Sequence, residues 1–361
     1  MRFDFNSYWS KGYIGDLIEK TGKKANNTEL NYTAYSITNS DGFVVQADNW
    51  EGGSYVQASK EGYKVIHNGE IAYNPARINV GSIGYFEQKN GIISSLYVCL
   101  KPKKELVPKY LFHYMKSNIF NKIVLKRQEG GVRDYFFYEN LCGVKINYPS
   151  IMEQEKIVSF LELINARILT QKKIIEDKEI LKKQICNKLM STSKDYIKLK
   201  NISQIYQPET IGTNSFDNNA QYFVYGANGI IGKYDKYNHL NPQICITCRG
   251  ATCGNVHLTQ EKSWITGNAM IVNVDNNPKI NKLFLYYYLS NYKFNSVISG
   301  SGQPQITRKP IENILVPSID LEEQSEIAKI IKCFEDNINY EKKILSLYKL
   351  QKQYLINKLF I

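Results

Sequence analysis

The sequence predicts an α+β fold: two mixed α/β globular domains separated by two long antiparallel coiled-coil helices, arranged as a pseudo-two-fold internal repeat. Three observations predict it. A globular stretch followed by a long amphipathic helix ends near Met190, and a second stretch of the same kind ends at Ile361. Glu153-Gln154 matches Glu323-Gln324, and Asn187-Lys188-Leu189 matches Asn357-Lys358-Leu359, at one constant offset, so nothing is inserted between those points. The apolar positions of both helices recur at alternating spacings of four and three, the a/d pattern of a coiled coil. The boundaries that follow are 1–148 and 191–316 for the globular domains and 149–190 and 317–361 for the helices.

The seam reads Ile157, Leu161, Ile164, Ile168, Ile175, Ile185 and Leu189 in the first copy, with polar gaps at Gln171, Lys178 and Lys182. In the second copy it reads Ile327, Ile331, Phe334, Ile338, Leu345, Leu355 and Leu359. At about 1.5 Å per residue a run of about 38 residues spans roughly 57 Å, longer than one domain, which favours packing of helix on helix. Both helices begin after Pro-Ser-Ile (Pro149 to Ile151, Pro317 to Ile319) with acidic residues in the first turn, where they complement the helix dipole. The first helix delivers the chain to the second domain and the second runs back, so the pair is expected to be antiparallel.

Within the first domain, short strands are expected at Tyr35 to Thr38, Phe43 to Gln46, Tyr63 to Ile66, Ile71 to Tyr73 and Ile92 to Leu100, punctuated by glycines. The second repeats the logic with Tyr222 to Tyr225, a loop bearing Gly226, Gly229 and Gly232, then Gln243 to Thr247 and Met270 to Val274. Each domain ends in an aromatic helix, Tyr110 to Phe120 or Leu283 to Phe294, whose Tyr and Phe rows read as core packing rather than as base-stacking platforms.

The chain carries a net charge of +12 and is 43% hydrophobic. Partitioned, each globular part has five more basic than acidic residues, while the two helices are nearly neutral. That distribution suits domains that grip a polyanion, although a Lys-rich and Asn-rich composition also arises from an AT-rich genome. No apolar run approaches the roughly 18 residues of a membrane span, and Met1-Arg2-Phe3-Asp4 lacks a signal-peptide pattern, so a soluble, cytoplasmic protein is expected. Seven cysteines without framework spacing suit a reducing compartment. Cys245, Cys248, Cys253 and His257 superficially resemble a zinc site, but positions three apart on a strand face opposite ways, and buried structural cysteines are expected.

Catalytic signatures are missing. The chain has no Gly-x-x-x-x-Gly-Lys-Ser/Thr phosphate loop, no Gly-x-Gly-x-x-Gly after a strand and no His-Glu-x-x-His. Asn74-Pro75-Ala76 lacks the second proline and the aromatic ring of an amino-methyltransferase motif, and the four histidines are isolated. A recognition and scaffolding protein follows, with chemistry left to partners. An RNA-binding or structural scaffold using the same two basic lobes is the alternative.

Aligned on one strand, Glu70 to Arg77 lies over Gln243 to Arg249, so each domain places an arginine on the loop after the same strand, followed by glycines. Arginine offers a bidentate fork for guanine edges or phosphate, and glycine allows close backbone approach. Pairing with a local carboxylate is the structural alternative. The segments leading to the long helices carry Gly130-Gly131-Val132-Arg133 and Gly300 to Arg308, polar loops suited either to a groove or to solvent. On these loops Arg77, Arg133, Arg249, Gln303, Gln305 and Arg308 are the candidate contacts for a polyanion.

These residues carry a resemblance. Tyr35-Ser36-Ile37-Thr38-Asn39, Tyr73-Asn74-Pro75-Ala76-Arg77, Gly81-Ser82-Ile83-Gly84 and Gly91-Ile92-Ile93-Ser94 resemble a target recognition domain of type I restriction-modification specificity subunits. So do Tyr225-Gly226-Ala227-Asn228-Gly229-Ile230-Ile231-Gly232, Cys248-Arg249-Gly250 and Gly300-Ser301-Gly302-Gln303-Pro304-Gln305, and the paired helices look like that family's spacers. The two domains look like different subtypes. The resemblance implies target recognition domains at 1–148 and 191–316, and a non-catalytic subunit that reads a bipartite asymmetric site in double-stranded DNA. On that resemblance the candidate DNA contacts are Tyr63, Lys64, Arg77, Asn79 and Arg133 in the first domain, with Lys233, Tyr234, Arg249, Gln303, Gln305 and Arg308 in the second. It implies two modification subunits that methylate adenine and two restriction subunits that translocate and cleave. It also implies that this chain binds no cofactor, with S-adenosylmethionine, ATP and Mg on those partners.

Overall fold

The structure is a computed structural model that describes residues 9–39, 41–46, 60–127, 135–191, 193–267, 269–300 and 303–360. The chain divides into two compact units, one of residues 1–171 with 344–361 and the other of 172–343.

The first unit contains β1 (Ser10–Tyr13), α1 (Ile14–Leu17), β2 (Ile18–Thr21), β3 (Ala34–Thr38), β4 (Gly42–Val45), β5 (Lys64–His67), β6 (Ile71–Tyr73), β7 (Ile83–Tyr85), β8 (Asn90–Ile93) and β9 (Val98–Pro102). Then come α2 (Pro108–Met115), α3 (Asn118–Arg127), α4 (Tyr138–Cys142), β10 (Lys145–Tyr148) and the first half of α5 (Ile151–Met190). Strands β2-β9-β6-β7 form an antiparallel sheet, β4-β3-β8-β5 form a second in which β3 and β8 are parallel, and β1 pairs with β10.

The second unit contains β11 (Tyr196–Lys198), β12 (Gln204–Tyr206), β13 (Tyr222–Gly226), β14 (Gly229–Tyr234), β15 (Ile244–Thr247), β16 (Val256–Leu258), β17 (Trp264–Ile265) and β18 (Ala269–Asn273), followed by α6 (Lys282–Asn291), α7 (Arg308–Glu312), β19 (Leu315–Pro317) and α8 (Leu321–Leu359). The sheet β12-β18-β15-β16 has the order and direction of the first unit's antiparallel sheet. In β14-β13-β17 the parallel pair recurs, and β11-β19 repeats β1-β10. The repeat therefore extends through the strands.

Several expected elements differ. The single strand expected over Ile92 to Leu100 is two, β8 and β9, in different sheets, because Tyr97 N–H bonds the Ser94 carbonyl (3.2 Å) and turns the chain. The aromatic helix expected to Phe120 breaks after Met115, and Ser117 Oγ accepts from Phe120 N–H (3.2 Å) to start α3. The expected glycine loop at 226–232 is a hairpin, with Gly232 inside β14. The helix expected from Pro317 starts at Leu321: Pro317 pairs with Tyr196 in a sheet, and Asp320 Oδ1 accepts from Glu323 N–H (2.8 Å).

The expected seam residues are buried or half-buried. In the first unit Ile157 and Leu161 share a core with Ile356, Leu359 and Phe360, and in the second Cys186 and Met190 share one with Ile327, Ala328 and Ile331. The start of α5 thus lies with the end of α8 and its end with the start of α8, so the helices are antiparallel. Towards the helix ends burial passes from Ile185 to Cys186 and from Leu355 to Ile356, as expected for straight helices that drift from a strict seven-residue repeat. Between the apolar parts lie Lys178–Glu341 (2.6 Å), Lys182–Glu335 (3.9 Å) and Glu179–Lys342 (2.6 Å).

The Glu-Gln pair that marks the repeat has a structural cause. Gln154 is fully buried; its Oε1 accepts from Val107 N–H (2.8 Å), and its Nε2 donates to the carbonyls of Glu105 (3.0 Å) and Pro149 (2.9 Å). Gln324 does the same with Asn281 N–H (2.8 Å), Lys279 (3.1 Å) and Ile319 (2.9 Å). Replacing either with leucine strands three backbone groups, at roughly 1–3 kcal/mol for each one left buried and unmet. The urea midpoint of the affected unit is expected to fall; an unchanged midpoint refutes this role.

Candidate nucleic-acid interface

Strands β6 and β15 hold equivalent interior positions in the two antiparallel sheets, and each delivers an arginine at its carboxyl end. After β6, Asn74 folds the chain into a turn: its side chain accepts from Ala76 N–H (3.0 Å), and its carbonyl accepts from Arg77 N–H (3.0 Å). Buried Ile78 anchors the following 3-10 turn, which Gly81 closes at φ +94, a left-handed conformation that favours glycine. Arg77 and Asn79 flank that anchor, Arg77 exposed and Asn79 half-buried. Among the described residues the Arg77 guanidinium has no hydrogen-bond or ion-pair partner.

After β15, Cys248 is buried and Arg249 exposed, again with no side-chain partner among the described residues. A second segment clamps this loop: Ile306 N–H donates to the Cys248 carbonyl (2.9 Å) and Gly250 N–H to the Pro304 carbonyl (3.0 Å). Gln305 is therefore bridged to Arg249, and Gln303 and Gln305 are both exposed. The structure thus brings together Arg249, Gln303 and Gln305. Arg308, on the first turn of α7, instead donates through Nε to Glu312 (2.6 Å), the local carboxylate pairing that a bare arginine always invites.

The remaining candidates lie in the other sheets and are already engaged. Lys64 Nζ donates to the Tyr97 carbonyl (2.6 Å), and the Tyr63 hydroxyl bonds Gln46. Lys233 Nζ sits 5.7 Å from the Phe223 ring centroid, and Tyr234 packs edge-on against Trp264. Arg133 lies outside the described residues.

Sequence reasoning missed Tyr135 and Phe137. In the first unit Phe136 N–H donates to the Pro75 carbonyl (3.0 Å), the counterpart of the Ile306 bond, and flanking Tyr135 and Phe137 stack with centroids 5.4 Å apart and planes 5° from parallel. Phe136 is buried, whereas Phe137 is 44% exposed. The helix offset, carried backwards, would have found them: Phe136 over Ile306, Leu141 over Ile311, Val144 over Ile314, all buried. Also missed was Thr247, whose Oγ1 is hydrogen-bonded to the Ala227 carbonyl and lies 3.1 Å from Asn228 Oδ1.

Cys245 faces one core and Cys248 the other, burial raises both thiols, Cys248 to about 11, and among the described residues no cluster could hold a metal ion. No helix of the described residues is long and apolar enough to cross a membrane.

The model of the type I restriction modification DNA specificity domain matches the chain twice, over residues 6–177 and 191–347. The chain is 24% identical, over 78% of its length and 74% of the relative's, to the putative type I restriction enzyme MjaX specificity subunit of Methanocaldococcus jannaschii. Its fold is similar to that of a type I restriction-modification S subunit from M. genitalium (TM-score 0.59, 19% identity, covering 100% of this chain and 98% of that one). It is also similar to a chain from a structure of the assembly and conformational transition of a type I system (TM-score 0.65, 15% identity, 100% and 99% coverage). With two matched domains spanning most of its length, the chain belongs to the type I restriction-modification DNA specificity family, as a specificity subunit that acts with DNA and the other subunits of its complex.

Proposed function

We propose that the chain reads a bipartite, asymmetric site in double-stranded DNA, one half with each unit, and scaffolds two modification and two restriction subunits. The observation that carries this reading is the exposed arginine at the carboxyl end of the same strand in both units, unpartnered among the described residues. A free guanidinium fork suits guanine O6 and N7 or a phosphate. The excess of five basic over acidic residues in each globular part adds sequence-independent attraction to the backbone. Methylation of adenine from S-adenosylmethionine, and ATP- and Mg-dependent translocation and cleavage, belong to the partners; this chain performs no chemistry.

The two surfaces are unlike. Arg249 stands beside glutamines, which pair with adenine edges, whereas the first unit sets the Tyr135 and Phe137 stack on the equivalent segment. Unlike surfaces suit unlike half-sites. Mapping methylated adenines in cells carrying the whole system tests this. Arg77→Ala and Arg249→Ala are each expected to relax one half-site, with a discrimination loss of about 1–3 kcal/mol. Uniform weakening would assign a phosphate contact, and an unchanged motif would remove the residue from the interface.

We also propose that the length of α5 and α8 sets the unread gap. Removing a matched heptad from both is expected to shorten the preferred gap by about three base pairs, roughly 10 Å, with both half-sites intact. An unchanged gap refutes the assignment.

A further inference from the structure

Strand β14, just after its turn from β13, opens with two adjacent isoleucines in solvent, Ile230 at 51% and Ile231 at 50% exposure. In a regular hairpin successive side chains face opposite sides, so one of the two would turn inward. A β-bulge prevents this. Val224 pairs with Gly232 and Tyr225 with Ile230, leaving Ile231 as an extra residue, and bulges re-aim side chains. The flanking glycines are sterically required: a Cβ on Gly226 would stand 2.9 Å from Ile231 Cγ2, and one on Gly232 would stand 2.6 Å from the Phe216 ring. The local backbone is thus built to keep apolar surface outward.

The turn is also fastened to the arginine loop. Thr247, the last residue of β15, holds the Ala227 carbonyl and approaches Asn228, so the hairpin tip stands at the strand end from which Arg249 emerges two residues later. Asn228 lines one cleft with Thr252 and Asn255 of the loop that follows Arg249. The hairpin whose returning strand carries these two rigid β-branched side chains is therefore tied to the strand end that leads into Arg249, whose loop is bridged to Gln305. Beside cations and amides that suit base edges, the apolar group that a major groove presents is the C5-methyl of thymine.

We infer that Ile230 and Ile231 are specificity-determining residues that contact a thymine methyl in the half-site read by the second unit, adjacent to the base pair that Arg249 contacts. The inference rests on the proposed reading of DNA by this unit. The test uses the complete methyltransferase complex carrying Ile230→Ala and Ile231→Ala together, with methylated adenines mapped genome-wide. One A·T position of the second half-site is expected to relax while the first half-site stays intact, an internal control for folding and assembly. In binding titrations, deoxyuridine at that position is expected to weaken the wild-type complex by about fourfold, the burial of one methyl group, and to leave the variant unaffected. An unchanged motif with no deoxyuridine effect overturns the inference alone. So does an unchanged motif with weakened retention of the modification subunits, which would assign the isoleucines to a protein contact. If the wild-type complex methylates no split motif, the reading of the function falls and the inference with it.

Discussion

One buried glutamine in each unit settles where the long helix meets the domain it serves. The first turn of a helix leaves backbone N–H groups without intrahelical partners, and a buried helix start must find them elsewhere. The start of α2 has no side-chain cap of its own, and Gln154 supplies the acceptor for Val107 N–H from the neighbouring α5. Its amide also donates to two carbonyls, a combination that glutamate lacks as an ionised acceptor and leucine lacks entirely. Gln324 repeats all three bonds within a few tenths of an ångström, whereas the next contact changes chemistry: His113 with Glu162 in the first unit, the Tyr287 hydroxyl with Glu335 in the second. The glutamine is the constraint that stays when its surroundings vary.

Once that joint is set, the exposed surfaces beside the two arginine loops are free to differ. Each arginine loop is held by backbone bonds, Phe136 to Pro75 and Ile306 to Cys248, and by one buried apolar side chain from the clamping segment. The side chains on either side of that anchor point away from the core, so Tyr135 and Phe137 occupy one unit where Gln305 and Thr307 occupy the other without altering the clamp. Burying a mismatched polar group would cost about 1–3 kcal/mol, but at exposed positions that cost is absent, and the surface can change at little expense in stability.

The same division explains what the sequence discloses. The long helices were legible because their apolar period and duplicated Glu-Gln pairs record packing, which repeats. The exposed placement of Arg77 and Arg249 was legible because each follows a wholly buried strand, so the loop after it must surface. The breaks at Ser94 and Ser117 were not, since a hydroxyl that ends a strand or starts a helix leaves no periodic trace. What Lys64, Lys233 and Tyr234 touch was not legible either: long side chains next to a strand find carbonyls and rings in the neighbouring structure, which composition cannot show. Tyr135 and Phe137 were hidden by their identity, because aromatic residues read as core until the buried Phe136 between them is recognised.

The centre of the helix pair has a different task from its ends. At the ends, Ile157 and Leu161 or Ile327 and Ile331 run into the domain cores, where full burial of such a side chain is worth about 1.5–3 kcal/mol. In the middle the seam turns polar, and partly exposed ion pairs such as Lys178 with Glu341 contribute about 0–1 kcal/mol each. Their value lies in what they forbid. A parallel pairing in the register of the repeat would set Lys182 against Lys352 and leave Lys178 facing Tyr348, whereas the antiparallel pairing gives both lysines a carboxylate. Two helices with nearly the same apolar pattern would otherwise have little to choose between directions, so the polar middle specifies the arrangement that the apolar ends stabilise.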